Sequence, residues 1–127
     1  MSSFTDPLVL EYLNGRRWRL ARAFTYRVGG PDSADYITVP AGFDTTFASI
    51  PRVLWALLPP TGRYGKAAVV HDWLYAAGTR PRSAADLIFR QAMAVLGVSK
   101  VKRWGMYVAV RLFGRVAWVR HRAAADA

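Results

Sequence analysis

Residues 66–77 read KAAVVHDWLYAA and are followed by Gly78. A run of this composition, ended by a glycine that accepts the left-handed conformation, predicts a helix over the quoted segment. Within it, His71 and Tyr75 are one turn apart and share a face. Asp72 lies about 100° further round the helix. The segment therefore combines a helix with polar side chains that are able to do chemistry.

Two more helices are predicted after this one. Ser83 is expected to cap the second helix, with Asp86 three residues on as in a capping box, and the helix continues through Leu96 to a stop at Gly97. The third helix is expected over residues 99–122. The C-terminal half of the chain is therefore predicted to contain three helices.

The first third of the chain has the patterns of β-strands. Residues 8–13 are an apolar run that leads into Asn-Gly, the commonest two-residue hairpin turn. Residues 18–28 alternate between apolar and polar and predict one long strand with a wet face, although Arg22 breaks the alternation. Residues 36–39 predict a third strand.

These patterns predict the α+β class, with a small antiparallel N-terminal sheet within residues 8–43 followed by the three-helix half. A length of 127 residues is typical of a single domain. Within this single domain, 1–127, we expect a β-rich part at residues 4–43 and an irregular part at 44–65. A helical part should follow at 66–122, and a frayed tail at 123–127.

Composition excludes several classes of protein. The chain has no cysteine, so disulfides and thiolate metal sites are excluded. Residues 1–6 lack the pattern of a signal peptide, and no long uncharged apolar stretch predicts a transmembrane segment. The net charge of +10 favours polyanionic partners, namely nucleic acid, an anionic lipid surface or an acidic protein.

The candidate catalytic residues are His71, Asp86 and Tyr75. A histidine beside a buried acid can be held in one tautomer and act as a general base near neutral pH. If the first two helices pack antiparallel, Asp86 accepts a hydrogen bond from His71, with heavy atoms about 2.6–3.2 Å apart. In the alternative interpretation, Asp86 is only a capping residue, Tyr75 belongs to the core and His71 pairs structurally with Asp72.

A second arrangement is a triad of Ser49, His71 and Asp44. The G-x-S-x-G motif that would place the serine on a nucleophile elbow is absent. Ser49 is explained more simply as the cap of a short helix over residues 52–58, with Pro51 in its first turn.

The third predicted helix has an apolar stripe and a narrow basic ridge. The pattern favours an ordinary core helix with a solvated basic face, and the alternative is an interfacial membrane helix. The ridge is expected to bind anionic surfaces weakly. The stripe consists of Val101, Trp104, Val108, Leu112, Val116 and Val119, widened by Tyr107, Val110 and Phe113, and the ridge consists of Arg103, Arg111, Arg115 and Arg122.

The segments 67–75 and 85–89 resemble the site of secreted phospholipase A₂ enzymes. They are more similar to the phospholipase domain of parvovirus capsid proteins, which combines HD-x-x-Y with AD-x-x-F. The resemblance implies that His71 activates water and that Tyr75 and Asp86 orient His71.

The same resemblance implies that Asp72 binds Ca²⁺; no other cofactor is implied. The phospholipases complete their calcium site with carbonyl groups of a glycine loop well before the histidine. Here the candidate loop, residues 62–65, immediately precedes the helix, so this element departs from the pattern.

A wider resemblance covers roughly residues 4–114. The chain resembles the domain-of-unknown-function 1353 family, which is found in tailed phages and prophages. That family usually has T-D-F-A-S-I-P, whereas this chain has Thr46 at the position of the aspartate, and Asp44 two places earlier. The similar segments are DPL (6–8), ITVPAGF (37–43), FASIPR (47–52), GRYGKAA (62–68) and HDWLY (71–75).

Together these features predict a phage-encoded basic protein with a phospholipase-like site that acts at a membrane or on an ester. The alternative is a non-catalytic virion component, such as a tail or tail-tip subunit, whose HDWLY helix is structural. The expected partners are an anionic membrane surface, other virion proteins or nucleic acid bound without sequence selectivity. The expected location is the cytoplasm of the bacterial host or the virion.

Overall fold

Contacts between Cα atoms divide the chain, seen here as a computed structural model, into two units, Met1–Thr46 and Phe47–Ala127. The structure describes residue 4 and residues 7–14, 17–46 and 65–126. Strands occupy the first unit and helices the second, which confirms the α+β class. The single-domain organisation stays a prediction. Asn14 of the predicted Asn-Gly turn is described and pairs with Arg17, whereas Gly15 and the short helix over residues 52–58 lie outside the described residues.

The described part of the first unit contains five strands in two antiparallel sheets, with the orders β1-β2-β5 and β3-β4. The single long strand expected over residues 18–28 is wrong, because the chain leaves one sheet and enters the other at residues 21–23, where Arg22 breaks the alternation. The last strand falls in a segment that we expected to be irregular. The strands are β1 (Leu10–Asn14), β2 (Arg17–Leu20), β3 (Phe24–Arg27), β4 (Tyr36–Val39) and β5 (Asp44–Thr45).

The β3-β4 pair carries the core of the first unit. Phe24 is opposite Val39 and Tyr26 is opposite Ile37, and all four side chains are buried. Successive residues of a strand point to opposite faces, so this one-face burial follows directly from the alternating sequence. Phe4 adds an aromatic ring whose centroid is 4.7 Å from that of Tyr26.

The second unit contains, within its described residues, α1 (Gly65–Ala77), α2 (Arg82–Val95), α3 (Lys100–Phe113) and α4 (Arg115–Asp126). The predicted first helix is confirmed, and it ends at Gly78, whose φ is +65°. The predicted end of the second helix is also confirmed, since Gly97 follows it with φ +82°.

The capping box predicted for the second helix is wrong. The residue at the N-cap of α2 is Pro81, and no side chain caps the helix there. Asp86 is fully buried, and its carboxylate is bound by side chains of other helices. These bonds hold Asp86 in the interior, where it cannot cap an exposed helix end.

The single helix predicted over residues 99–122 is two helices, separated at Gly114. A Cβ atom at Gly114 would lie 2.5 Å from the hydroxyl oxygen of Tyr75, so the chain passes too close to α1 for a side chain at this point. The frayed tail is also wrong, because α4 continues to Asp126. Arg122 ties α4 to α1 by donating to the carbonyl oxygens of Tyr75, at 2.9 Å, and of Ala76, at 2.8 Å.

The core of the second unit surrounds α1, which is buried along most of its length, as is typical of a helix with apolar residues on all sides. None of the helices in the described ranges is long and apolar enough to cross a membrane.

Most of the apolar stripe that we predicted to be core is exposed; among its members Val110 is buried and Tyr107 is half-buried. The side chains of α3 and α4 that are buried are Met106, Val110 and Ala117, on a face other than that of the exposed stripe residues. That face is turned inward by polar contacts, since Arg82 donates to the carbonyl oxygens of Val110 and Arg111 at 3.1 and 3.3 Å. Hydrophobic periodicity alone therefore assigned the wrong face of these helices to the core.

Candidate functional site: a buried histidine and aspartate

The predicted hydrogen bond between His71 and Asp86 is confirmed. Nε2 of His71 lies 2.6 Å from Oδ1 of Asp86, which joins the middle of α1 to the first turns of α2. Tyr75, one turn after His71, donates its hydroxyl to the same oxygen at 2.6 Å. All three side chains are fully buried. The three candidate catalytic residues are therefore brought together as one hydrogen-bonded group.

The other oxygen of Asp86 faces two arginines that sequence analysis did not assign to the site. Nη1 of Arg111 donates to Oδ2 at 2.8 Å, and Nη1 of Arg82 lies 3.5 Å from the same atom. The i, i+4 spacing of Arg82 and Asp86 on one helix was a signal that could have identified the first contact. Arg111 is far away in sequence, and no local pattern connects it to Asp86.

The basic ridge predicted on the third helix is therefore wrong as a solvated surface. Arg111 binds Asp86, and Arg122 binds the C-terminal carbonyl groups of α1. Arg103 donates to the carbonyl oxygen of Val98 at 3.2 Å. Three of the four arginines of the predicted ridge therefore bind groups of the protein itself.

The surroundings of Asp86 favour its charged form. Burial by itself raises the pKa of this carboxyl, but the hydrogen bonds from His71 and Tyr75 and the nearby Arg111 outweigh burial and lower the pKa below its ordinary value. Burial and the bond to Asp86 raise the pKa of Tyr75, which stays a neutral donor. Asp86 is thus an ionised acceptor at neutral pH.

An ionised Asp86 determines the tautomer of His71. Because the carboxylate only accepts, Nε2 of a neutral His71 carries the proton, and the lone pair of the ring resides on Nδ1. The imidazole packs between two rings, with centroids 4.3 Å from Tyr75 and 4.7 Å from Phe89. This packing and the bond to Asp86 hold the ring in one orientation, as a general base requires.

Residues of α4 and of the α3–α4 junction keep Tyr75 in position. Trp118 packs edge-on against the Tyr75 ring, with centroids 5.3 Å apart. Gly114 leaves room for the Tyr75 hydroxyl, as described above. The orientation of His71 and Asp86 therefore depends on all four helices of the second unit that the structure describes.

Asp72, the candidate Ca²⁺ ligand, is 3% exposed. Calcium takes six to eight oxygen ligands in proteins. Within residues 7–14, 17–46 and 65–126, no three His, Asp or Glu side chains are grouped so that they could hold a metal ion. Residues 62–64 of the candidate glycine loop lie outside the described residues. The described side chains supply no such group around Asp72, and calcium binding stays a prediction.

Asp44, the acid of the alternative triad, is bound by two arginines of its own sheet. Arg17 and Arg19 contact its carboxylate at 2.9 and 3.0 Å. Hydrogen bonds from Arg19 and then from Arg17 lower the pKa of the exposed Asp44 carboxyl. The acid bonded to His71 is Asp86, and Ser49 lies outside the described residues. Asp44 is therefore not the acid that bonds to His71, as the triad hypothesis requires.

Comparison with known proteins identifies relatives of the chain. Residues 18–110 match the family described as protein of unknown function (DUF1353). The chain is also 39% identical over 80 residues to the uncharacterized protein y4jT of Sinorhizobium fredii (strain NBRC 101917 / NGR234). That match covers 60% of this chain and 23% of the relative, so the chain spans about a quarter of the relative's length. No solved structure matches significantly. The matched segment contains all but the first residue of β2, the strands β3 to β5, both residues of the His71–Asp86 pair and most of α3. The chain belongs to the DUF1353 family.

Proposed function

We propose that the protein hydrolyses esters, with phospholipids as the substrate class, and that His71 is the general base. The observation that supports this proposal most is the 2.6 Å contact between Nε2 of His71 and Oδ1 of Asp86. It holds the imidazole of His71 against a carboxylate that remains ionised. This combination is suited to removing a proton from water near neutral pH.

In the proposed reaction, Nδ1 of His71 takes a proton from water while the water oxygen bonds to the ester carbonyl carbon. The negative Asp86 stabilises the imidazolium that forms, without taking its proton. The tetrahedral intermediate then collapses, the bond from carbon to the leaving oxygen breaks, and that oxygen receives the proton from His71. The products are a carboxylic acid and an alcohol, and the base is regenerated.

Complete burial of His71 and Asp86 supports a second candidate function. Donors from α1, α2 and α3 converge on the single carboxylate of Asp86, so the same group ties three helices together. A non-catalytic virion component, such as a tail or tail-tip subunit, needs only this structural role. The two candidates differ in whether His71 is required for a reaction or for stability.

The substitution His71→Gln separates the two candidates, because the amide nitrogen of glutamine lies near the position of Nε2 and can keep the hydrogen bond to Asp86. In the hydrolase, kcat/KM for phosphatidylglycerol or a p-nitrophenyl ester should fall about a hundredfold or more, and the free energy of unfolding should change little. In the structural role, wild type shows no hydrolysis, and the measurable effect is on stability: His71→Ala, which removes the donor to the buried Asp86, lowers the free energy of unfolding by about 1–3 kcal/mol.

The matched control is His121→Gln, since His121 is the second of the two histidines in the chain and lies on α4 away from Asp86. It should leave both hydrolysis and stability unchanged. Loss of activity in His121→Gln equal to that in His71→Gln would contradict the assignment of His71 as the base.

A phage or prophage origin, with a location in the bacterial cytoplasm or the virion, is part of the same proposal. It rests on the resemblance of the chain to a family found in tailed phages. Mass spectrometry of purified particles from a lysogen that carries the gene tests it. Presence of the chain in particles supports the virion component, whereas its presence in the cell lysate alone supports a protein that acts in the host.

A further inference from the structure

The outer surface of α3 and α4 carries large apolar side chains that face solvent. Their exposed fractions range from 43% for Trp104 to 84% for Val101. Large apolar side chains exposed together along a helix commonly mark a binding surface. We call this surface the outer apolar face, and it consists of Val101, Trp104, Val108, Leu112, Phe113, Val116 and Val119.

Positive side chains flank the outer apolar face on each helix. On α3, Lys100 and Lys102 lie about 100° to either side of Val101 round the helix axis. On α4, Arg115 and Arg120 lie on the two sides of the surface formed by valines 116 and 119. All four cations are exposed, and none is used in the bonds that hold Asp86.

A groove of about 500 Å³ opens along α4 between apolar and positively charged side chains. Among the described residues it is lined by Arg115, Val116, Val119, Arg120 and Ala123. Its lining joins methyl groups to guanidinium groups. This chemistry suits an amphiphile with an anionic head and an apolar chain.

We propose that the outer apolar face docks on an anionic phospholipid bilayer, with the valine, leucine and aromatic side chains in the acyl boundary and the four cations at the phosphate groups. Interfacial helices have this arrangement, because long basic side chains extend from the apolar layer to the headgroups. Docking does not depend on hydrolysis at His71, and it uses none of the residues in that site.

The charge of α3 and α4 indicates which partner binds the outer apolar face. Residues 100–126 contain seven Lys or Arg and one acidic residue, Asp126. A second copy of the chain would bring the same positive charges against each other, which disfavours self-association through this face. Nucleic acid would satisfy the cations but leave the valine and leucine side chains in water. An anionic bilayer satisfies both the charged and the apolar side chains.

Co-sedimentation of the full chain with vesicles tests the proposal. Binding should rise with the fraction of phosphatidylglycerol in phosphatidylcholine vesicles. Leu112→Ser and Val116→Ser should each weaken binding roughly tenfold, and Lys102→Gln and Arg120→Gln about fivefold each. The matched controls are Val95→Ser, an exposed valine of α2, and Arg22→Gln, an exposed arginine of the first unit, and both should bind like wild type.

Tryptophan fluorescence provides a second measurement on the folded protein. Trp104 should shift to shorter wavelength on anionic vesicles and be quenched by lipids labelled in the acyl chain, and Trp104→Phe should lose most of this signal. Several outcomes would overturn the proposal. They are an absence of binding to phosphatidylglycerol vesicles, binding that Leu112→Ser and Val116→Ser leave intact, and a wild-type dimer in light scattering that Val116→Ser dissociates. Binding to DNA that equals binding to vesicles and is unaffected by the serine variants would also overturn it.

Discussion

Arg111 of α3 donates a hydrogen bond of 2.8 Å to Oδ2 of Asp86, a fully buried carboxylate of α2. The other oxygen of that carboxylate is occupied by His71 and Tyr75 of α1. Asp86 is thus neutralised from α3 while it orients the histidine on α1. A residue that sequence analysis placed on a solvated ridge is in fact part of the candidate site.

We expect Arg111→Met to lower the free energy of unfolding by about 1–3 kcal/mol, because a buried carboxylate loses a charged hydrogen-bond donor. Methionine keeps most of the aliphatic volume of the arginine, so the lost charge dominates the effect. Urea unfolding at neutral pH measures it. The matched control is Arg115→Met, an exposed arginine four residues on, which should change stability by no more than about 0.5 kcal/mol. Equal effects of the two substitutions would mean that the bond to Asp86 contributes nothing.

The two glycines of the α3 region should respond in opposite directions to alanine. Gly114→Ala places a methyl group where the Tyr75 hydroxyl lies, 2.5 Å away, and should destabilise by about 1–3 kcal/mol. Gly105 has open space around the position of a Cβ, so Gly105→Ala should stabilise the helix by roughly 0.5–1 kcal/mol. Thermal and urea unfolding of both variants check this pair. A neutral or stabilising Gly114→Ala would show that the junction is not tightly packed against Tyr75.

Stability should fall in acid because of Asp86. Its folded-state pKa is lowered, so below the unfolded value of about 3.9 the unfolded chain binds a proton that the folded chain does not. The contribution of Asp86 is complete above about pH 5 and is lost as the pH falls through the lower folded pKa. Urea unfolding at pH values from 6 down to 2, in steps of about 1 unit, measures this loss of stability.

Asp44 provides the control for the acid profile, since hydrogen bonds from Arg19 and Arg17 also lower its pKa, but its carboxylate is exposed. Exposed ion pairs contribute little to stability. Asp44→Asn should therefore retain most of the acid dependence of the wild type. If Asp44→Asn abolished that dependence, the first unit would be its source.

Calcium should leave the melting temperature of the protein unchanged. The described side chains group no three metal-binding residues around Asp72, and a ligand that binds only the folded state would raise stability with the logarithm of its concentration above Kd. Differential scanning calorimetry with Ca²⁺ and with a chelator measures the shift. A calcium-dependent rise in Tm that Asp72→Asn removes would establish the calcium site implied by the phospholipase resemblance.

Local sequence determined the elements and the candidate pair. The alternation of apolar residues in 36–39, the composition of 66–77 and the glycines at 78 and 97 each specify structure through neighbouring residues, and the corresponding elements are present. The spacing of His71 and Tyr75 on one face, and a short connection to the helix of Asp86, made their hydrogen bonds predictable. These features depend on neighbouring residues or on two helices joined by a short loop.

Tertiary structure alone decided which face of α3 and α4 is buried and which groups the arginine side chains bind. Two faces of these helices carry apolar residues, and periodicity cannot choose between them. The choice follows from long-range polar contacts, in which Arg82 binds carbonyl groups at the end of α3 and Arg111 binds Asp86. A buried carboxylate is stable only when charged donors reach it, and no local pattern shows which distant arginine will do so. The same contacts leave the more regular apolar stripe facing solvent.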